Sequence, residues 1–599
     1  MQLEQRDSLI FRDNYLTQNS WLAANKVMTK KILTELTHEG VITPEHTSHG
    51  DYVLNIESQC VCYHFKAKEY LLAHLDISLE SIKKYKDGLE IPLDALDLFI
   101  ELLEFIHINK AILPTYVDGL ISTLNGWAYK RDGKRLSSDE LVCADYQSIE
   151  SSMDEGHPAI IANRGCYGFD FIDSLMYSPE CMAEQKVVWI AVHKDKATFS
   201  AISSLSYHDI IQSELSTEEI SYFSDIVHQH AVLSDDYYWM PVHEWQWREK
   251  ILIRFAADIA KKNIIFLGMS LDAYSAQQSI RTLFNVSHPN KRYIKLAISI
   301  FNCGFMRGLS PYAMKVTPGI NEWLDNLCSQ DSYLVEKNFK LLKEVAAIGY
   351  RDTLFEKVIT EISPQKNMLS ALWRESVFDK MEKNQRVMTM AALLHVDKNE
   401  KSFIVELIKL SGLSGQEWIK AYLDCYLLPQ LHLFYAHDIA FMPHGENVIL
   451  IIEDNKPAGM FMKDIAEEVI FFSPEGPLPE AVAQCTHIVK ESHKIEHFWT
   501  EIFDYFFRYL AVILDKHDCV TENDFWQLAA DTILEYQAQH PEYTEKYARL
   551  DLFKSTFKQY AINRQKMIHG PECLSLREFK TNKDFTRELS NPLFLFKNN

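Results

Sequence analysis

At 599 residues, 47% apolar and 24% charged, the chain has ordinary globular composition, which excludes a disordered or low-complexity protein. Lys plus Arg number 61 and Asp plus Glu 83, so the net charge of −22 argues against a general nucleic-acid binder, although a local basic pocket fits within it. No apolar stretch reaches the roughly 18 residues of a spanning helix. MQLEQRDSLIFRDNY lacks the regions of an export signal and the eleven Cys are scattered, so a soluble cytoplasmic protein with reduced thiols and no membrane partner is expected.

By length the chain divides into about three or four domain-sized units. Residues 1 to about 150 read as mainly helical, densest in IPLDALDLFIELLEFI (91–106), with a short strand pair around DYVLNIESQCVCYHF (51–65). From about 156 to 350 short β-rich runs follow: VVWIAVH (187–193), YYWMPVH (237–243), NIIFLG (263–268), RTLFNV (281–286) and YIKLAISIF (293–301). The last two flank SHPNKR, a plausible hairpin loop that would bring Arg281 and Lys295 together. Beyond 355 helical patterns dominate around one strand pair, NVILIIED (447–454) returning as GMFMKDI (459–465). HFWTEIFDYFFRYLAVIL (497–514) reads as a buried helix, and another begins at Thr521 with Asp524 in its first turn.

Three clusters carry possible chemistry. HGEN (444–447) precedes a strand and Asp464 ends the returning one, so His444, Glu446, Asn447 and Asp464 can set oxygen ligands around Mg²⁺ on nucleotide phosphates. AQQSIRTLFN (276–285) contributes Ser279, Arg281 and Thr282. With Lys295 and Arg307 it supplies three cations and two hydroxyls for a triphosphate, where a surface hairpin with dispersed charges is the bland reading. EGHPAIIANRGCYGF (155–169) offers His157, Asn163 and Arg164 among Gly156, Gly165 and Gly168, without the spacing of a Walker loop or GxGxxG. His193 and His243 stand at strand ends, and Trp245 and Trp247 in HEWQW suit core packing better than base stacking.

Taken in order, GHPAIIANRGCYGF, HEWQW, AQQSIRTLFN, KLAISIFNCGFMRGLSP, LWRES and MPHGENVIL resemble the NRPS-independent siderophore synthetases, the aerobactin synthetase (IucA/IucC) family. The similarity spans nearly the whole chain. It is closest to the branch that makes desferrioxamine, bisucaberin, putrebactin and alcaligin, because ANRG follows GHP where citrate-using members tend to carry a second His-Pro and a Lys. The resemblance implies an α+β fold shaped like a hand, with a helical thumb (1–155), β-rich fingers (156–355) and a mixed α/β palm (356–599), assembled as a homodimer. It also implies ATP and Mg²⁺ as cofactors, and small-molecule carboxylate and amine substrates joined through an acyl adenylate.

Carried over by motif, Ser279, Arg281, Thr282, Lys295 and Arg307 would hold the phosphates, with His444 beside the reacting phosphate. Glu446, Asn447 and Asp464 would position Mg²⁺; His157 and Asn163 would face the acyl group, with Arg374 and His395 also on the substrate side. Two departures stand out: Glu244 where the family often has Pro, and Cys303 where Thr or Ser is commoner. The reaction expected is joining of N-hydroxy-N-succinyl diamines, oligomerised or macrocyclised into a hydroxamate siderophore. A citrate-dependent synthetase, a small-molecule kinase sharing HGEN and Asp464, and a non-catalytic binder are the alternatives.

Overall fold

The computed structural model describes residues 15–132, 135–153, 155–230, 234–303, 305–359, 363–472, 478–486, 491–569 and 585–597. The absent export signal, called on residues 1–15, falls almost wholly outside them, as does Gly304 of the FNCGFMRG turn.

The N-terminal part packs helices Gln18–His38 and Leu113–Asp132 against a six-stranded antiparallel sheet spanning Glu45 to Ile91. Helices still predominate in this segment, but the strand pair expected at 51–65 is the centre of a larger sheet. The further strands His74–Ile77, Lys83–Lys86 and Leu89–Ile91 are short and rich in charge, so they carried too little alternation to be read. Val61–Tyr70 does alternate, because one face packs on the core and the other meets water.

Val187–His193, Tyr237–His243 and Ile264–Met269 form one three-stranded sheet, with Val187–His193 central and its VVWIAV run buried on both faces. A six-stranded sheet follows the order Tyr274–Ala276, Thr282–Asn285, Tyr293–Leu296, Ser370–Arg374, Glu344–Tyr350 and Ala197–Ala201. The expected hairpin is present, with Thr282 opposite Lys295 and Leu283 opposite Ile294. Strand Ser370–Arg374 comes from beyond residue 355 yet lies in the middle of this sheet, and Phe339–Leu341 joins Lys456–Met462 in parallel in the other direction. The chain thus crosses the boundary expected at 355 twice.

The C-terminal part is held by an apolar core centred on helix Gly415–His437, the helical run from Glu491 to Lys516 and helix Glu522–Gln539. The run is buried as expected, with a wide π-helical stretch over Trp499–Phe507. Thr521 caps the next helix by accepting from the backbone N–H of Asp524. Val448–Glu453 and Lys456–Met462 make the predicted second hairpin, turning at Asp454 and Asn455, both with positive φ. Among the described residues no helix is long and apolar enough to cross a membrane.

Candidate active site

Directly opposed residues of antiparallel strands project to the same face. Lys295 lies opposite Thr282 and Leu372, and Arg374 opposite both Tyr293 and Glu344, so Thr282, Lys295, Arg374 and Glu344 share one face. Over that face comes the turn after strand Lys456–Met462, where Asp464 adopts a left-handed conformation (φ 58°) that Asp tolerates better than most residues. Helix Ile465–Glu468 follows, adding Glu467 and Glu468.

These residues form an ion-pair cluster. Lys295 Nζ lies 2.5 Å from Asp464 Oδ1, 2.9 Å from Glu467 Oε2 and 3.5 Å from Glu344 Oε1. Arg374 Nη2 reaches the same Asp464 oxygen at 2.6 Å and Glu344 at 3.2 Å, while Arg281 Nη2 reaches Glu467 at 3.0 Å and its Nη1 donates to the Gly308 carbonyl at 2.5 Å. Burial pushes the Asp464 and Glu467 carboxyls up, but the adjacent cations outweigh it. Arg374 and Lys295 hold Asp464 well below the usual range, and Lys295 and Arg281 bring Glu467 down to about 2.

The other phosphate-side candidates are arranged differently. Ser279 Oγ donates to Thr282 Oγ1 at 2.9 Å within the tight turn preceding the hairpin. Arg307 is not in the cluster; its Nε and Nη2 both donate to Asn302 Oδ1, at 3.1 and 2.7 Å. Arg374, expected on the substrate side, is instead fixed among the carboxylates, because its strand is the neighbour of the Lys295 strand. Glu344 and Glu467 escaped the sequence reading. Glu467 has a local signal, since Asp464-x-x-Glu467-Glu468 spans one helical turn; Glu344 has none, because only sheet pairing brings it to Arg374.

The HGEN turn borders both this cluster and a cavity of about 850 Å³. Asn447 donates from its side-chain nitrogen to the Met442 carbonyl and to Glu468, and its carbonyl accepts from the Lys463 backbone N–H at 3.0 Å. His444, Gly445 and Glu446 line the cavity with His157 and His395. The His157 ring stands 5.4 Å from that of His444 and 5.0 Å from that of Tyr505, both edge-on. Burial lowers both imidazoles below the ordinary histidine range, and the two rings' mutual repulsion pushes His157 further. They are neutral at physiological pH. His157 Nδ1 is buried without a hydrogen-bond partner, as is Asn163 Oδ1; Asn163 Nδ2 donates to Glu155 and to the His157 carbonyl. A Cβ on Gly156 would fall 2.7 Å from the Asn163 carbonyl oxygen, so only glycine lets this loop close.

His193 and His243 do not line the cavity. His193 stacks edge-on against Tyr237, and buried His243 accepts from the Trp245 N–H. Trp245 is core, its Nε1–H donating to Asp173. Glu244 keeps the local turn in place of proline by accepting from Tyr177 and from Arg248. The Cys303 thiol is buried, raised by desolvation, and donates to the Asn163 carbonyl, so it is a structural thiol.

Lys566 was not anticipated. Its Nζ is buried over the Phe305 ring and donates to the Cys303 carbonyl, and burial pulls it down to about 7. Between about pH 7 and 10.5 the unfolded chain holds a proton that the folded chain has released, so stability rises with pH across that window. Lys566→Met should stabilise the fold by about 3 kcal/mol below pH 7, the lost hydrogen bond included, with the gain fading towards pH 10. Urea denaturation at pH 6.5 and 9.5 measures it; a gain equal at both pH values would count against the buried-charge account.

The fold and site can be set beside known proteins. Residues 145–395 match the IucA / IucC family, and residues 416–571 match the ferric iron reductase FhuF-like transporter family. The chain is 45% identical over 585 residues to putrebactin synthase of Shewanella sp. (strain MR-4), covering 97% of this chain and 93% of that protein. The petrobactin biosynthesis protein AsbB of Bacillus anthracis superposes with a TM-score of 0.86 at 24% identity, over 98% of this chain and 97% of that one. ATP-bound aerobactin synthetase IucA of Klebsiella pneumoniae superposes with a TM-score of 0.74 at 15% identity, over 95% and 99%. The α+β hand architecture expected from sequence is therefore that of the siderophore synthetases, and the protein belongs to the IucA/IucC family, ligases that form amides using ATP.

Proposed function

We propose that the protein adenylates the carboxylate of an N-hydroxy-N-succinyl diamine, releasing pyrophosphate, and then joins the acyl group to the amine of a second unit with release of AMP. Repetition and ring closure yield a hydroxamate siderophore. The observation that carries this reading is the HGEN turn, which borders a buried cation–carboxylate cluster on one side and a substrate-sized cavity on the other. The 45% identity to a putrebactin synthase supports the hydroxamate branch over citrate. Consumption of ATP favours a cytoplasmic setting, and a homodimer is the assembly we expect, which sedimentation would test.

In this reading Lys295 and Arg281 exchange their carboxylate partners for phosphate oxygens when ATP binds. Attack of one anion on another then proceeds against positioned cations in a site shielded from water. Arg307, Ser279 and Thr282 flank the same strands and would hold the outer phosphates. The oxygen donors of Asp464, Asn447 and Glu446 suit a hard cation, with Glu468 bonded to Asn447 behind them. Mg²⁺ held there would neutralise phosphate charge. His395 in the cavity wall and Asn163, bonded to the carbonyl of His157, would serve the acyl side, and His444 would lie between phosphates and cavity.

The attacking amine must shed a proton as the amide forms. His157, a neutral residue of the cavity wall whose buried Nδ1 has no hydrogen-bond partner, is the acceptor we assign. His157→Gln is expected to lower amide formation by about a hundredfold while leaving substrate-dependent pyrophosphate exchange within threefold of normal. Equal loss of both half-reactions would remove the assignment.

Incubation of the protein with ATP, Mg²⁺ and either N-hydroxy-N-succinyl-putrescine, its cadaverine homologue, or citrate plus a diamine tests the whole reading. AMP, pyrophosphate and dehydrated oligomers from a succinylated substrate are expected. AMP formed only with citrate would overturn the substrate, and ADP in place of AMP would favour the kinase alternative.

A further inference from the structure

Near the C-terminal end of helix Gly415–His437, Asp331, His432 and His437 bring a carboxylate and two imidazoles together. Asp331 opens helix Ser332–Glu336, where Oδ1 accepts from the backbone N–H groups of Tyr333 and Leu334 at 2.9 and 3.0 Å. Its other oxygen, Oδ2, faces His432 Nε2 at 3.1 Å and His437 Nε2 at 2.8 Å. Both histidines belong to helix Gly415–His437, His437 being its last residue. The ligand atoms of the three side chains all lie within 4.8 Å of one another, a grouping met once among the described residues.

We propose that these three residues bind a first-row divalent transition metal, of the class of Zn²⁺ or Fe²⁺. Two imidazoles and one carboxylate are the donors such ions prefer, whereas Mg²⁺ and Ca²⁺ favour an all-oxygen set. The separations fit as well. With metal–ligand bonds of about 2.1 Å, oxygen-to-nitrogen distances of 2.8 and 3.1 Å correspond to angles near 85° and 95° at the metal. Such angles suit adjacent positions of an octahedron, with the remaining positions left to water.

The surroundings are those of a ligand set. His432 Nδ1 lies 3.0 Å from the Tyr536 hydroxyl, so with Nε2 on the metal its Nδ1–H donates to Tyr536, the arrangement that fixes a ligating imidazole. Tyr333 stacks on the His432 ring at 4.5 Å and holds it in place. His432 and Asp331 are largely buried while His437 is 26% exposed, which gives the ion a path in from solvent. A metal here would pin the turn that leads into strand Phe339–Leu341 to the long helix behind the Asp464 hairpin. The proposal does not rest on the ligase chemistry.

The test uses the full chain, stripped with a chelator and titrated with Co²⁺ in the absence of ATP, following the visible absorption of the bound ion. One equivalent is expected to bind to the wild type, weakened at least about tenfold in His437→Ala and in Asp331→Asn, whose side-chain oxygen can still cap the helix. Circular dichroism checks the folding of both variants, and Zn²⁺ should raise the melting temperature of the wild type alone. Equal Co²⁺ binding in wild type and variants, or no saturable binding in the wild type, would overturn the site and leave a hydrogen-bonded trio.

Discussion

Lys295→Met is expected to reduce substrate-dependent pyrophosphate exchange by about a thousandfold, roughly 4 kcal/mol of transition-state stabilisation, in a protein that still folds. Lys295 is 2% exposed and touches three carboxylates, and burial alone would favour its neutral form. Asp464, Glu467 and Glu344 overcome that penalty and raise its pKa instead. Its charge is therefore secure at every pH at which the enzyme works, as a group that must meet phosphate requires. Removing it leaves the three carboxylates to Arg374 and Arg281, so ATP affinity should fall along with turnover. Arg307→Met separates the roles, because among the described residues the Arg307 side chain bonds Asn302 and pairs with no carboxylate. Exchange within tenfold of normal in a folded Lys295→Met protein would end the assignment.

Arg508→Met should cost about 3 to 5 kcal/mol of stability, the largest single loss we expect away from the site. Arg508 is fully buried, with Nη2 3.0 Å from Glu35, Nε 3.1 Å from Asp504 and Nη1 2.9 Å from His74 Nδ1; His38 bonds the same Asp504 oxygen at 2.8 Å. Glu35, His38 and His74 come from the N-terminal part, and Asp504 and Arg508 from the C-terminal helix. The network is thus the polar seam of that contact, and Glu35 and His74 also form part of the cavity wall. Methionine fills similar space but leaves the Glu35 and Asp504 carboxylates without the cation that offsets their burial. Adding Glu35→Gln should recover part of the loss, since the pair then removes both ends of one interaction. Urea denaturation of Arg508→Met, Glu35→Gln and the double variant measures this, and a loss below 1 kcal/mol for Arg508→Met would show that water reaches the seam.

Short-range pattern determined a good deal of this protein. Alternation and turn residues marked the two hairpins that carry Lys295 and Asp464, and the capping pair Thr521 and Asp524 marked a helix start, because each depends on residues only a few positions apart. HGEN and its motif companions were legible for the same reason, and they were enough to identify the family. Tertiary structure alone decided what those residues meet. Ser370–Arg374 inserts between Tyr293–Leu296 and Glu344–Tyr350, so Arg374 joins Asp464 and Glu344 instead of the substrate cavity. Glu344, Lys566, the Arg508 seam and the Asp331 trio have no periodicity to announce them. Their chemistry arises from partners distant in sequence and from the loss of water around them, and neither is written in any local stretch of the chain.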